Sequence, residues 1–294
     1  MNQPLDEMQL EMRLQELRRK KKLSIPFFIG SAVLFLLFFL LESMIVFLLF
    51  VGALGAGIVI FSIQSSAIKD LISANLVPSV LGEIFDDVRY DHDGHIPDHI
   101  IRATDMDFPF SYDKIKGSDY IQCTYKGLNI QLSDIRLIDV RTHVSSKGHV
   151  RREEHTVFKG MWLICDFGKE LSADLTIRER AIKGFKLFRG KNNIETENEA
   201  FNDKFVIRSS SEHDAFYVLT PHMMEYILSM DTKGKGDTYL RFERYGTVHI
   251  VINSGRDAFE ISSSKDLGQF RKQFYDEIRY ITDLIDELRL AETL

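Results

Sequence analysis

The sequence predicts an α+β protein: an N-terminal two-helix transmembrane hairpin, a helical stalk, and a β-rich cytoplasmic domain closed by a long C-terminal amphipathic helix. Three observations predict it. Residues 25–63 are an apolar block whose one ionisable residue is Glu42. From about Tyr112 the apolar residues recur with period two, as in strands. From Lys265 to Leu290 they step by three and four, at Leu267, Phe270, Phe274, Ile278, Ile281, Ile285 and Leu288. That is the spacing of one amphipathic helix, either a lid on the β core or a coiled-coil seam.

Residues 1–24 form a lead-in. Leu10, Leu14 and Leu17 recur at helical spacing, with acids first and bases last, an order that suits the helix dipole. The segment reads either as a charged lead-in or as a dimerising or lipid-surface helix. The block at 25–63 follows. As one straight helix it would be about 58 Å long, against about 30 Å of hydrocarbon. It is therefore read as two spans, about Ile25–Leu41 and about Met44–Ile63, turning at Glu42 and Ser43. Backbone groups in lipid must bond within their own segment, so both spans are helices.

Arg18, Arg19, Lys20, Lys21 and Lys22 abut the first span, and such runs stay on the cytoplasmic side. Two crossings return the chain, so both termini are expected in the cytoplasm. Glu42 then sits at the outer interface, where a charge is tolerated. Gly52 with Ala56, and Ala53 with Gly57, are spaced to let helices approach, although glycine is common in membrane helices generally. The charged leader and the great length of the apolar run speak against a signal peptide.

Residues 64–110 read as a stalk helix and a connecting segment. Gln64 to Val88 keeps the helical period, with Pro78 as a kink. The connecting segment gathers Asp91, His92, Asp93, His95, Asp98, His99, Asp105 and Asp107. One reading is a turn at Asp93-Gly94 and a short helix started by Pro97, with Ile96, Ile100 and Ile101 inward. The other is a metal site. The spacing matches neither an EF-hand loop nor the HExxH helix of a zinc hydrolase.

Residues 111–294 read as the α+β domain. A hairpin turns at Lys126-Gly127, where Leu128, Ile130 and Leu132 alternate with polar residues. A polar loop, Ser145 to Glu154, leads into the strand HTVFKGMWLICDF, with Trp162 and Cys165 in the core. Strands follow near Ala173–Ile177 and at KFVIRSS. A helix then covers SSEHDAFYVLTPHMMEYILSM, with Thr220 as a cap and Pro221 at its first position. A hairpin turned at Tyr245-Gly246 and a short strand at Phe259–Ile261 complete the sheet.

Between two strands lies a basic segment, in which Arg178, Arg180, Lys183, Lys186, Arg189 and Lys191 interleave with Phe185 and Phe188. It reads either as a solvated face or as a patch for anionic lipid. The chain carries a net charge of −6 in spite of its basic leader, so the soluble part is acidic, unlike a nucleic-acid-binding domain. Its two cysteines, Cys123 and Cys165, fit neither a disulfide framework nor a CxxC metal pair.

The stretches GSDYIQCTYKGLNIQLSDI, VFKGMWLICDF and NEAFNDKFVIRSSSEHDAFYVLTPHMMEYIL, after a paired hydrophobic segment, resemble the bacterial membrane proteins grouped as domain of unknown function 3137. The resemblance covers roughly residues 10–290, and its most specific parts are the FKG block and the block ending in LTP. It departs at Glu212-His213-Asp214-Ala215-Phe216, where an acid before the alanine and a basic residue after it are expected. The resemblance implies a protein of the bacterial inner (plasma) membrane, with a LemA-type membrane protein as a partner, and carries over no catalytic residue.

Two function classes fit. The first is a membrane-tethered cytoplasmic interaction or scaffold module, without cofactor; the sequence shows no recognisable catalytic constellation. The alternative is a metal-dependent hydrolase using the Asp/His stretch 91–107.

Overall fold

The computed structural model describes residues 7–144, 150–166, 168–180, 192–233, 236–260, 263 and 265–287. The chain divides into two compact units, Met1–Val80 with Ile261–Phe274, and Leu81–Glu260 with Tyr275–Leu294.

In the first unit, α1 (Glu7–Lys22) leads into α2 (Ser24–Leu41), and α3 (Met44–Gly82) returns. The turn is the one the sequence marks. Glu42 takes a left-handed conformation, φ 47°, and its N–H closes α2 on the carbonyl of Phe38. The arms run antiparallel and their rings interlock: Phe38 lies 5.2 Å from Phe47, Phe35 lies 5.2 Å from Phe50, and Phe28 lies 6.4 Å from Phe61. Both apolar helices are long enough to cross a bilayer. Most of their large side chains point outward, Leu36, Leu40 and Ile45 among the most exposed.

α3 continues beyond the apolar block as expected, and ends at Gly82 instead of near Val88. On its distal part Ile68, Ile72, Val77 and Val80 are buried. So are Leu10 and Leu14 of α1, and Leu267, Phe270 and Phe274 at the start of α8 (Leu267–Glu287). Glu7 pairs with Arg271 at 3.4 Å, Lys21 Nζ donates to Ser263 Oγ at 2.7 Å, and Arg18 donates to the carbonyl of Lys265. The leucine face of the lead-in is thus spent inside the chain.

The second unit is built on a nine-stranded antiparallel sheet, ordered β1-β2-β3-β4-β9-β8-β5-β7-β6. The strands are β1 (Asp86–Asp91), β2 (Lys114–Tyr125), β3 (Leu128–Val144), β4 (Val150–Asp166), β5 (Leu175–Glu179), β6 (Asn193–Ile194), β7 (Phe205–Ser209), β8 (Asp237–Phe242) and β9 (Thr247–Asn253). Successive side chains in a strand face opposite sides, so neighbouring rows show what each face does. One buried row runs from Ile121 through Leu132, Leu163, Ile250 and Leu240 to Ile194. The adjacent row, on the other face, runs from Gln122 through Gln131, His249, Arg241 and Arg208 to Asn193. This second face also carries an apolar cluster of Phe158, Trp162, Tyr239 and Val251, packed with Ile96, Ile101 and Met106 from the segment after β1.

Local chemistry explains the connections. Lys126 and Gly127 both take positive φ, 49° and 83°, as a two-residue hairpin turn requires. Pro97 precedes α4 (Asp98–Ala103), with Ile96 and Ile101 buried as the pattern predicts. Asn198 caps α5 (Glu199–Lys204) by accepting from Phe201 N–H at 3.0 Å. The helix expected through LTP is two, α6 (Glu212–Val218) and α7 (Pro221–Lys233). Proline disfavours helix in the residue before it, so Leu219 and Thr220 leave the helix, and Thr220 Oγ1 caps α7 on Met223 N–H.

Three further expectations change. Asp86–Val88, expected at the end of the stalk helix, form an edge strand with Arg89–Asp91 of the connecting segment. Part of the polar loop expected over 145–154 is strand, because β4 starts at Val150 and pairs back to Val144. Phe259 and Glu260 lie in a turn and its exit instead of a strand; Ile261 lies outside the described residues.

Candidate functional site

The Asp/His stretch is placed by the fold, and its side chains go separate ways. Asp91 Oδ1 caps the turn by accepting Asp93 N–H at 3.2 Å. His95 Nδ1 contacts the Ile96 carbonyl at 2.7 Å, and its Nε2 stands 3.6 Å from Asp98. Asp107 leaves the group altogether and takes Arg178 of β5 at 2.8 Å together with Arg208 of β7. The carbonyl of Asp105 accepts Arg241 Nη1 of β8 at 2.6 Å. Asp93 and His99 are not drawn into a common centre. Among the described residues no three His, Cys, Asp or Glu side chains form a group able to hold a metal ion. The Asp107 carboxylate and the Asp105 carbonyl tie the end of this segment to Arg178, Arg208 and Arg241 on the polar face of the sheet.

His92 has a partner that sequence reasoning missed. Asp119 sits in a bulge of β2 at φ 57°, almost fully buried. It accepts Tyr90 Oη at 2.6 Å and stands 3.1 Å from His92 Nδ1. This carboxylate–histidine–tyrosine set joins β1 to β2. Asp134 of β3, also missed, is 1% exposed and accepts two backbone N–H groups of the loop after β9. The signal was present in LNIQLSDIRLIDV, where Ser133-Asp134 interrupts the alternation of apolar and polar residues.

Two residues of the basic segment are described. Arg178 is committed to Asp107, and Arg180 Nε donates to the carbonyl of Asn202 at 2.9 Å. Lys183, Phe185, Lys186, Phe188, Arg189 and Lys191 lie outside the described residues. Both cysteines are buried, which pushes the Cys123 thiol up to about 12 and raises that of Cys165 as well, where Asp166 adds to the effect. Neither is a ready nucleophile.

One exposed feature of the second unit is a ribbon. β2 pairs with β3 only as far as Ile138, and β9 pairs with β4 only from Met161. Beyond those limits β3 and β4 continue as a pair, from Asp139 opposite His155 to Val144 opposite Val150. Arg141, Thr142, His143, Arg151 and Arg152 are exposed there. Glu153 gathers Arg151 at 3.0 Å and two histidines, His155 at 3.6 Å and His143 at 3.8 Å. Glu154 takes Lys114 at 2.5 Å. Among the described residues no strand pairs with β4 on its far side from Val150 to Phe158.

Residues 156–290, a little under half of the chain, match the family described as protein of unknown function (DUF3137). The resemblance read from the sequence therefore holds over this stretch, while GSDYIQCTYKGLNIQLSDI lies before it. The FKG block has a structural reason within it. Phe158 is buried; Lys159 pairs with Asp257 at 2.9 Å and its carbonyl accepts Gly255 N–H; a Cβ on Gly160 would meet the Ile252 carbonyl at 2.0 Å. No curated protein matches the chain. Among solved structures, the crystal structure of the mycobacterial trehalose monomycolate transport factor A is similar at 9% identity, covering 68% of this chain and 88% of that one, with a TM-score of 0.34.

Proposed function

We propose that the chain is a membrane-tethered interaction module, held by α2 and α3 and presenting the β3–β4 ribbon to a protein partner. The observation that carries this reading is the ribbon itself, a paired and exposed surface whose backbone edge along Val150–Phe158 is open among the described residues. An extended partner segment adds to such an edge through main-chain bonds, and flanking charges set its register. The outward-facing side chains of α2 and α3 support the tether, since a core helix of comparable length would be buried. The metal-dependent alternative loses support because, among the described residues, the Asp/His side chains do not converge into a group able to hold a metal ion.

A photo-crosslinker at Thr142 or Arg152 in living cells tests the ribbon. It should give an adduct of one defined size that disappears when residues 142–152 are replaced by a two-residue turn. A LemA-type membrane protein is the first identity to check by mass. No adduct at either position, or an adduct that survives the shortened ribbon, overturns the reading.

The basic run at 18–22 supports both termini lying in the cytoplasm of a bacterial cell, with the hairpin in its inner membrane. Ser43→Cys should then react with an impermeant thiol reagent in intact cells and Ser146→Cys should not. The basic segment adds a second contact, with anionic lipid, resting on Lys183, Lys186, Arg189 and Lys191 with Phe185 and Phe188. A tether brings weak headgroup contacts of about 1 kcal/mol per basic residue into play. An environment-sensitive dye on Phe188→Cys in the full chain should shift to the blue in anionic nanodiscs. Identical spectra in zwitterionic ones sink this contact.

A further inference from the structure

The edge of the ribbon carries four charges in a set order, Arg151, Arg152, Glu153 and Glu154. Successive side chains of a strand face opposite sides, so each face of the ribbon receives one arginine and one glutamate. Arg151 and Glu153 share a face with His143: Glu153 lies 3.0 Å from Arg151 and 3.8 Å from His143. Arg152 and Glu154 share the other, where Glu154 meets Lys114 at 2.5 Å and Lys116 at 3.8 Å. Arg151, Arg152 and Glu154 are exposed and Glu153 is half-buried. In an antiparallel pair alternate residues turn their backbone N–H and C=O away from the partner strand. Along Val150–Phe158 those groups point to the edge that is open among the described residues.

We propose that the partner at this edge is a second copy of the chain, its β4 running antiparallel to the first about a two-fold axis through Arg152. This rests on the reading of the ribbon as the interacting surface and names what it meets. A two-fold axis between two like edges stands perpendicular to the sheet and sets one residue opposite itself. With Arg152 on the axis, Arg151 of each copy faces the partner's Glu153, and Val150 faces the partner's Glu154. The two Arg152 side chains oppose each other, with a Glu154 diagonal to each. With Glu153 on the axis, two glutamates oppose and Arg151 meets the partner's His155. That register also needs Glu154 for its ion pairs, and Lys114 already holds it. The side chains thus select Arg152 as the centre.

Charge on an edge strand usually serves to keep it from pairing. Charge of one sign does that against a second copy, because like faces like. Two signs in the order Arg-Arg-Glu-Glu do the reverse, since antiparallel pairing brings arginine against glutamate. The described overlap is short, Val150–Glu154 of each copy. Two chains held in one membrane meet at a high effective concentration, so a short self-complementary edge is enough there. Pairing joins two β3–β4 ribbons into one four-stranded sheet, and a lone two-stranded ribbon gains most from such company.

Arg152→Cys in the full chain, oxidised in isolated membranes, tests this. Opposed residues of an antiparallel pair lie about 4.5–5.5 Å apart at Cα, within reach of a disulfide. A disulfide-linked dimer of twice the chain's mass should form; Cys123 and Cys165 are buried and do not compete. Thr142→Cys, equally exposed but on β3, should give none, because its two copies would stand three strands, about 14 Å, apart. In the Arg152→Cys chain, Arg151→Glu or Glu153→Arg alone should cut the dimer about fivefold. Arg151→Glu combined with Glu153→Arg restores the opposition of charges and should restore the dimer. No dimer from Arg152→Cys, or a combined exchange no better than either single one, overturns the proposal. The two readings fail separately. A photo-adduct at Thr142 or Arg152 of any mass other than two chains keeps the ribbon as the interacting surface and excludes the second copy, whereas no adduct sinks both.

Discussion

Trp162 on β4 donates its indole N–H to Nδ1 of His249 on the adjacent strand β9, at 3.2 Å, and both residues are sealed from solvent. Because Nδ1 accepts, the imidazole hydrogen lies on Nε2, which faces Glu243 at 3.5 Å. That contact holds the Glu243 carboxyl below its ordinary range, against the effect of burial. A donor–acceptor chain thus crosses two strands on the polar face.

Trp162→Phe keeps most of the ring and removes the donor, leaving Nδ1 buried without it. The full chain should lose about 2 kcal/mol, read as a lower melting temperature in detergent. An unchanged melt would show that His249 finds another donor at no penalty.

Gly160→Ala tests the FKG block. The added methyl would overlap the Ile252 carbonyl, and backbone cannot swing aside as a flexible side chain can. The β4–β9 ladder should open, with a loss of about 3 kcal/mol. Exchange protection should fall first over 247–253.

How far the sequence revealed these things depends on how local the causes are. The turn at Glu42, the hairpin at Lys126-Gly127 and the Thr220 cap are set by adjacent residues, and they stand where the pattern puts them. β1 was hidden because DDVRYD is polar and short, as edge strands often are, and only its pairing with β2 defines it. Asp119 and Asp134 find their partners far along the chain; the broken alternation at Ser133-Asp134 marks a position, but no spacing names the partner. The strand expected at Phe259 fails for the same reason: its N–H is taken by Asp134 and not by a ladder.

The two small-residue pairs in α3 are not equivalent. A Cβ on Gly57 would come within 3.2 Å of Phe27 and Phe28 of α2, whereas Gly52 has nothing within 4 Å. Gly57→Ile should force the hairpin apart and lower the detergent melt, and Gly52→Ile should leave it unchanged. Equal effects would mean that the crossing lies elsewhere.

α1 offers a similar contrast. Leu14 is 1% exposed and Met12 is 58% exposed. Leu14→Ala should lose about 3 kcal/mol, and Met12→Ala no more than about 0.5 kcal/mol. Phe274→Asp places a charge where the ring is now buried and should abolish folding. A Phe274→Asp chain that stays folded and only changes its oligomeric state would make the C-terminal stripe an interface.

The strand order has a consequence for biogenesis. β1 to β4 form a meander of local hairpins, but β4 is completed by β9, which is synthesised much later. Until Thr247–Asn253 emerges, the inner edge of β4 at Met161–Asp166 has no partner, and Leu163 and Cys165 await Ile250 and Val248. Pairing across so much intervening chain is slow, and a bare apolar edge recruits other chains. Products cut short before Thr247 should therefore accumulate as aggregates at the membrane instead of as smaller folded domains, and the nascent chain should need a holdase between the synthesis of β4 and that of β9.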